Sequence, residues 1–143
     1  MRYICLALVC MATSVFSYAD GIDEVEGLRA AIDAHEAALL SGDNTKISST
    51  VRYPHVQFYP DGRVMQFQEQ ADLPPRRESQ GRWRVSDTTL VMYEPGIAIV
   101  RASFERIGDE ESAGLGAGLW CYVLSEGEWR IYWRHYLGRD TNG

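Results

Sequence analysis

Cysteine is nearly absent from the working part of this chain. Of three cysteines, Cys5 and Cys10 lie in an apolar N-terminal stretch and only Cys121 stands in the body. A lone thiol cannot close an internal disulfide, so stability has to come from apolar packing. Cys121 falls in the middle of a strand-like run, where it reads as a buried, inert thiol. Basic residues are also scarce, with 14 Lys and Arg against 20 Asp and Glu and a net charge of −6. That balance excludes nucleic acid and anionic membrane surfaces as expected partners. The local exception is "PPRRESQGRWR", whose arginines from Arg76 to Arg84 read as a solvated loop. A phosphate-binding glycine loop, a G-x-S-x-G elbow, metal-spaced ligands, internal repeats and low-complexity tracts are all missing. The three histidines are far apart in sequence and no carboxylate obviously joins them, so neither a metal nor a cofactor is expected. "GLGAG" has no helix pattern after it and reads as part of a flexible loop from Gly108 to Gly116.

The first mostly apolar run, Tyr3 to Phe16, follows Arg2 and is followed by Ser17 and Ala19. It has the pattern of a secretory signal cut between Ala19 and Asp20, and it is too short to span a bilayer comfortably. Residues 1–19 are therefore expected to be a signal peptide. Residues 20–143 form a single periplasmic or secreted domain, with no stable membrane insertion after cleavage. Arg2 leaves with the signal, so the mature chain carries 13 basic against 20 acidic residues, a net of −7. Its 124 residues suffice for one domain with one core.

"DEVEGLRAAIDAHEAALLSGD" carries the helical period, with Val25, Leu28, Ile32, His35 and Leu39 on one stripe. Asp23 with Glu26 offers a capping box at its start, and Gly42 suits its end. Asp43 can cap a second short helix running to about Thr50. A strand follows from about Val51 to Tyr59, and its alternation puts Tyr53, His55, Gln57 and Tyr59 on one face. "YPDGR" makes the turn to a returning strand, "RVMQF". "QEQADL" reads as a helical turn stopped by Pro74-Pro75. The second half reads as two hairpins, "RWRVSDTTLVMYE" with "IAIVRASFERI", then "AGLWCYVLS" with "EWRIYWRHYLG". A two-residue turn at Glu126-Gly127 would set Leu124 opposite Trp129, Tyr122 opposite Ile131, Trp120 opposite Trp133 and Gly118 opposite His135. The face with Trp120, Trp133 and His135 is expected to be the inner one, with cavity space left by Gly118. Arg130, Arg134 and Tyr136 are expected on the other. Helices first and antiparallel strands afterwards indicate an α+β domain.

The order of helix, "ALLSGD", short helix, strand and turn, ending in "WRIYWRHYLG", resembles the nuclear transport factor 2-like superfamily. The SnoaL-like and ketosteroid isomerase-like branch is the nearest likeness. The resemblance implies a cone-shaped roll, in which a strongly bent antiparallel sheet is wrapped by N-terminal helices around a small-molecule pocket. It also implies a homodimer through the outer sheet face. In this register His35 stands where the isomerases hold a tyrosine donor, Tyr59 where they hold the aspartate base, and Trp120 where they hold a second acidic donor. None of the three groups is retained, so ordinary steroid isomerase activity is not expected. The candidate acid/base or catalytic groups are His35, His55 and Tyr59. Tyr53, Gln57, Trp120, Trp133 and His135 are the candidate ligand-binding residues. The implied ligand is a small apolar or aromatic molecule, and at least two histidines should meet around it. The alternative is a non-catalytic assembly module whose cone is filled by its own aromatics.

Overall fold

A computed structural model describes residues 5–72, 82–107 and 115–138, with side chains over 21–72, 82–107 and 116–138. The Pro74–Gly81 part of the arginine-rich segment and the Gly108–Gly114 part of the glycine-rich loop lie outside the described residues. A long helix α1 (Cys5–Ser41) and a short helix α2 (Asn44–Ser49) precede strands β1 (Val51–Phe58) and β2 (Val64–Phe67). A single 3-10 turn (Gln70–Asp72) follows, then β3 (Arg82–Glu94), β4 (Ile97–Ile107), β5 (Leu115–Ser125) and β6 (Glu128–Gly138). The six strands form one sheet in the order β2-β1-β6-β5-β4-β3. The α+β class expected from the sequence is what the chain adopts. One pair departs from a purely antiparallel sheet, because β1 runs parallel to β6. That pairing joins strands more than 70 residues apart, beyond the reach of local turn chemistry.

Local signals act where the sequence places them. Gly42 takes φ 70° after α1, and the Asp43 carboxylate accepts from the Thr45 amide at 2.8 Å to start α2. Gly62, Gly96 and Gly127 take positive φ in the three hairpin turns, beside Glu126 at φ 56°. Two expectations at the helix fail. Asp23 does not begin α1, which runs without a break from Cys5. No proline interrupts it, and Gly21 costs only about 1 kcal/mol against alanine. Val25 is 41% exposed rather than part of the buried stripe. The buried face is instead Leu28, His35 and Ala38, flanked by half-buried Ala31, Ile32 and Leu39. Glu24 pins this helix to the sheet by accepting from the Tyr93 hydroxyl at 3.1 Å and the Gly96 amide at 3.3 Å.

The helix packs on β3 and β6. Leu28 joins Val51, Ala98, Val100, Ala102, Trp120, Tyr122, Trp129 and Ile131 in one core. Among the described residues no helix is long and apolar enough to cross a membrane.

Candidate functional site

The decisive local feature lies on β6. Leu124 pairs with Trp129 and Tyr122 with Ile131, as the Glu126-Gly127 turn dictates, but Cys121 then pairs with Trp133. Tyr132 is left over as a bulge. One extra residue reverses the facing of the side chains from Trp133 to Tyr136. Trp120 therefore opposes Arg134, not Trp133, and Gly118 opposes Tyr136, not His135. Trp133 and His135 are not on the inner face. They lie on the opposite side, around Phe58, with ring centroids 6.1 Å and 5.8 Å from it. The space expected beside Gly118 is also filled. A Cβ there would stand 3.6 Å from Phe104, and one on Gly116 would meet the same ring at 2.3 Å.

What the bulge brings inside is Arg134. Its neighbour on β5 is Trp120 and its neighbour on β1 is Gln57, so Trp120, Arg134 and Gln57 form a row across three strands. Arg134 is only 7% exposed, and its Nε and Nη2 atoms have no hydrogen-bond partner in the protein. Next along the same face, Tyr136 stacks on Tyr59 at 5.4 Å and meets Phe104 edge-on at 6.4 Å. Half-buried aromatic rings thus border the arginine on one side.

His35 and His55 border it on the other. Both are completely buried. The His35 ring stands edge-on to Trp120 at 4.9 Å, with 87° between the planes. Its Nδ1 lies 2.6 Å from Thr50 Oγ1. That hydroxyl donates its one proton to the Ile47 carbonyl at 2.7 Å, so it can only accept from His35. The imidazole proton therefore sits on Nδ1. His55 Nδ1 lies 3.0 Å from the Tyr132 carbonyl, an acceptor, so it too carries the proton. Each ring is left with a bare Nε2 lone pair, and both Nε2 atoms are buried without a partner. The Tyr122 hydroxyl, also completely buried, is in the same condition.

Burial and the nearby Arg134 guanidinium, in that order, hold both imidazoles neutral. His55 is lowered to about 3, and His35 lies well below its ordinary value, with His55 as a further cause. Burial raises the Tyr122 phenol, with Glu36 and Asp33 adding to the rise and Arg134 opposing it. Glu36 is itself raised, by burial and then by Asp33. Tyr59 is raised by burial and by Tyr136. Its hydroxyl donates to Gln57 Oε1 at 2.7 Å, which leaves it no proton to give elsewhere. Tyr53 is similarly engaged, 2.6 Å from Ser48 Oγ.

Of the eight candidates, the structure brings His35, His55, Gln57, Tyr59 and Trp120 onto one interior face around Arg134. Tyr53 shares the face of β1 but is tied to α2, and Trp133 and His135 face away. Among the described residues no three His, Cys, Asp or Glu side chains gather as a metal set. A surface groove of about 330 Å³ at the β5–β6 turn is lined by Arg52, Ser125, Glu126, Glu128 and Arg130. It holds none of these groups.

The arrangement of one six-stranded sheet backed by one long helix has structural counterparts. A protein from Novosphingobium aromaticivorans, described as NTF2-like with a cystatin-like fold, superposes with TM-score 0.68 at 16% identity over 92% of each chain. An NTF-2 like protein of unknown function from Shewanella oneidensis MR-1 gives 0.65 at 13% identity, over 79% of this chain and 98% of that one. An uncharacterized cystatin-like protein from Caulobacter vibrioides gives 0.64 at 12% identity, over 82% and 91%. No family model and no curated protein sequence matches the chain. At these identities the likeness is one of fold, and the chain folds as an NTF2-like, cystatin-like α+β domain.

Proposed function

We propose that this domain binds a small molecule between α1 and the inner face of the sheet, among His35, His55, Trp120, Tyr122 and Arg134. One observation carries the reading. Four polar side chains from α1, β1, β5 and β6 converge in an otherwise apolar interior, and each keeps at least one buried atom unsatisfied. Leaving such a group unpaired costs about 1–3 kcal/mol, more when it is charged. Four in one place are better explained as a binding surface than as packing.

Binding is favoured over isomerase chemistry. The position matching the isomerase base is Tyr59, whose proton is committed to Gln57. A histidine lowered to about 3 is a weak base at neutral pH. A bare Nε2 can accept a hydrogen bond from a ligand hydroxyl all the same. Export after cleavage at Ala19–Asp20 belongs to the same reading, on the apolar Tyr3–Phe16 run and the small residues Ser17 and Ala19 that follow it. Self-association through the opposite sheet face, near Phe58, Tyr132 and Leu137, would cover side chains that are now exposed.

The test is a titration with phenol, a small neutral aromatic, followed by the imidazole signals of the three histidines. Saturable shifts at His35 and His55, with His135 unmoved, are expected. Absence of any shift at His35 and His55 at millimolar phenol would leave the packed-module alternative in possession.

A further inference from the structure

We infer that the interior site takes an anion, and specifically a small carboxylic acid that also carries a hydroxyl group and an apolar body. This deepens the binding reading and rests on it.

Start with charge. Arg134 brings a full positive charge to a position where the residue is only 7% exposed. Among the described residues no carboxylate pairs with it. The groups that face it from the packed elements are His35 on α1, His55 on β1, Tyr59 after β1, and Tyr122 on β5. All of these are neutral. Asp33 and Glu36 of α1 act on Tyr122 and make no ion pair with the guanidinium. An isolated buried cation is among the costliest arrangements a fold can hold, and proteins otherwise pair it. The missing countercharge therefore belongs to a ligand.

The guanidinium also sets the shape. Nε and Nη2 lie on one edge of the plane, and both are unpartnered. Two parallel donors on that edge match the two oxygens of a carboxylate. Next to them, the two histidines offer only lone pairs, because each has spent its proton on Thr50 or on the Tyr132 carbonyl. Lone pairs repel an anion's oxygens and attract an O–H donor. A bare anion would satisfy the arginine and leave both Nε2 atoms orphaned. A hydroxy acid satisfies both sets of groups. The rings of Tyr59, Tyr136 and Phe104 supply the apolar wall for its body.

The experiment uses the full chain and two matched pairs of probes, 4-hydroxybenzoate with 4-hydroxybenzamide and mandelate with mandelamide, at pH 7. At least one acid is expected to bind 10-fold or more tightly than its amide and to shift both His35 and His55 signals. Arg134→Gln should remove that preference, so that each acid binds no more tightly than its amide. Arg134→Met should melt, without ligand, at the wild-type temperature or above, because it deletes an uncompensated charge. An acid and amide that bind alike would overturn the anion assignment and leave the interior site standing. A preference that survives Arg134→Gln would do the same, as would an Arg134→Met protein that melts well below wild type. If neither the acids nor phenol move His35 and His55, both readings fall together.

Discussion

The two halves of β6 differ in what they bury, although a single bulge separates them. Before it, Trp129 and Ile131 enter the apolar core with Leu28, Val51 and Tyr122. After it, Arg134 takes the inward position between Trp120 and Gln57, with the histidines close by. The first half holds the domain together. The second carries groups that weaken the empty fold and have use only when something binds. Stability and recognition are thus divided along one strand, and the division falls at Tyr132.

The sharpest way to break this comparison is to put the same chemistry on both sides of the bulge. Ile131 is completely buried and packs in the core cluster with Leu28, Val51 and Trp129. Ile131→Asp is expected to cost about 5 kcal/mol or more, enough to unfold the domain, as read by urea denaturation. Arg134→Met, three residues on, should cost nothing. Comparable losses at both positions would mean that β6 has one role along its whole length.

Next in size is the response to acid, which should arise beyond the bulge. His55 has a folded value of about 3 against an ordinary 6.5, so between these values the unfolded chain binds a proton that the folded chain refuses. Stability is full above pH 6.5 and falls as pH drops toward 3. The loss should reach about 2 kcal/mol by pH 5 from His55 alone, at roughly 1.4 kcal/mol per pH unit. His35 acts in the same direction. His55→Gln should flatten the slope measured by denaturation between pH 6.5 and 5. An unchanged slope would show that the ring is not buried neutral.

Smaller again is the effect of Thr50. Thr50→Val keeps the shape but removes the acceptor for His35 Nδ1–H, leaving both nitrogens of a buried ring unpaired. About 1–2 kcal/mol should be lost, and the His35 signal should lose its single-tautomer signature in ¹⁵N spectra. Retention of that signature would assign the proton to another cause.

Most of this architecture could be read from local chemistry. Gly42 with Asp43, the "YPDGR" turn, Pro95-Gly96 and Glu126-Gly127 each fix a boundary through backbone requirements that few other residues meet. His35 was legible from its apolar stripe with Leu28 and Ile32. His55 was legible only through the family resemblance that turned the Tyr53, His55, Gln57 and Tyr59 face inward, since the apolar Val56 and Phe58 lie on the other. Arg134 was not legible, because period-2 counting from the turn sends it outward with Arg130. The nearest signal to it is the run Ile131-Tyr132-Trp133. Yet three large side chains in succession fit plain alternation as well as a bulge, so the run alone does not decide. The convergence on Arg134 was hidden too, because it depends on the parallel β1–β6 pairing that sets Gln57 beside it.

The smallest expected effect tests the bulge most directly. His135 lies beyond Tyr132 on the face away from the site, half-buried beside Phe58. Counting from the turn without a bulge would turn it into the interior, next to Gly118. His135→Asn removes an imidazole and keeps a polar group of similar reach. If the bulge is present, the change touches neither the core nor the row of Trp120, Arg134 and Gln57. Stability should then stay within about 0.5 kcal/mol of wild type, and the phenol-induced shifts at His35 and His55 should be unchanged. His55→Asn, by contrast, should reduce the shift at His35 and weaken phenol binding, because it deletes an inward lone pair. A His135→Asn variant that binds as poorly as His55→Asn would place His135 inside. That result would return Arg134 to the outer face, and with it would go the positive charge on which the hydroxy-acid assignment depends.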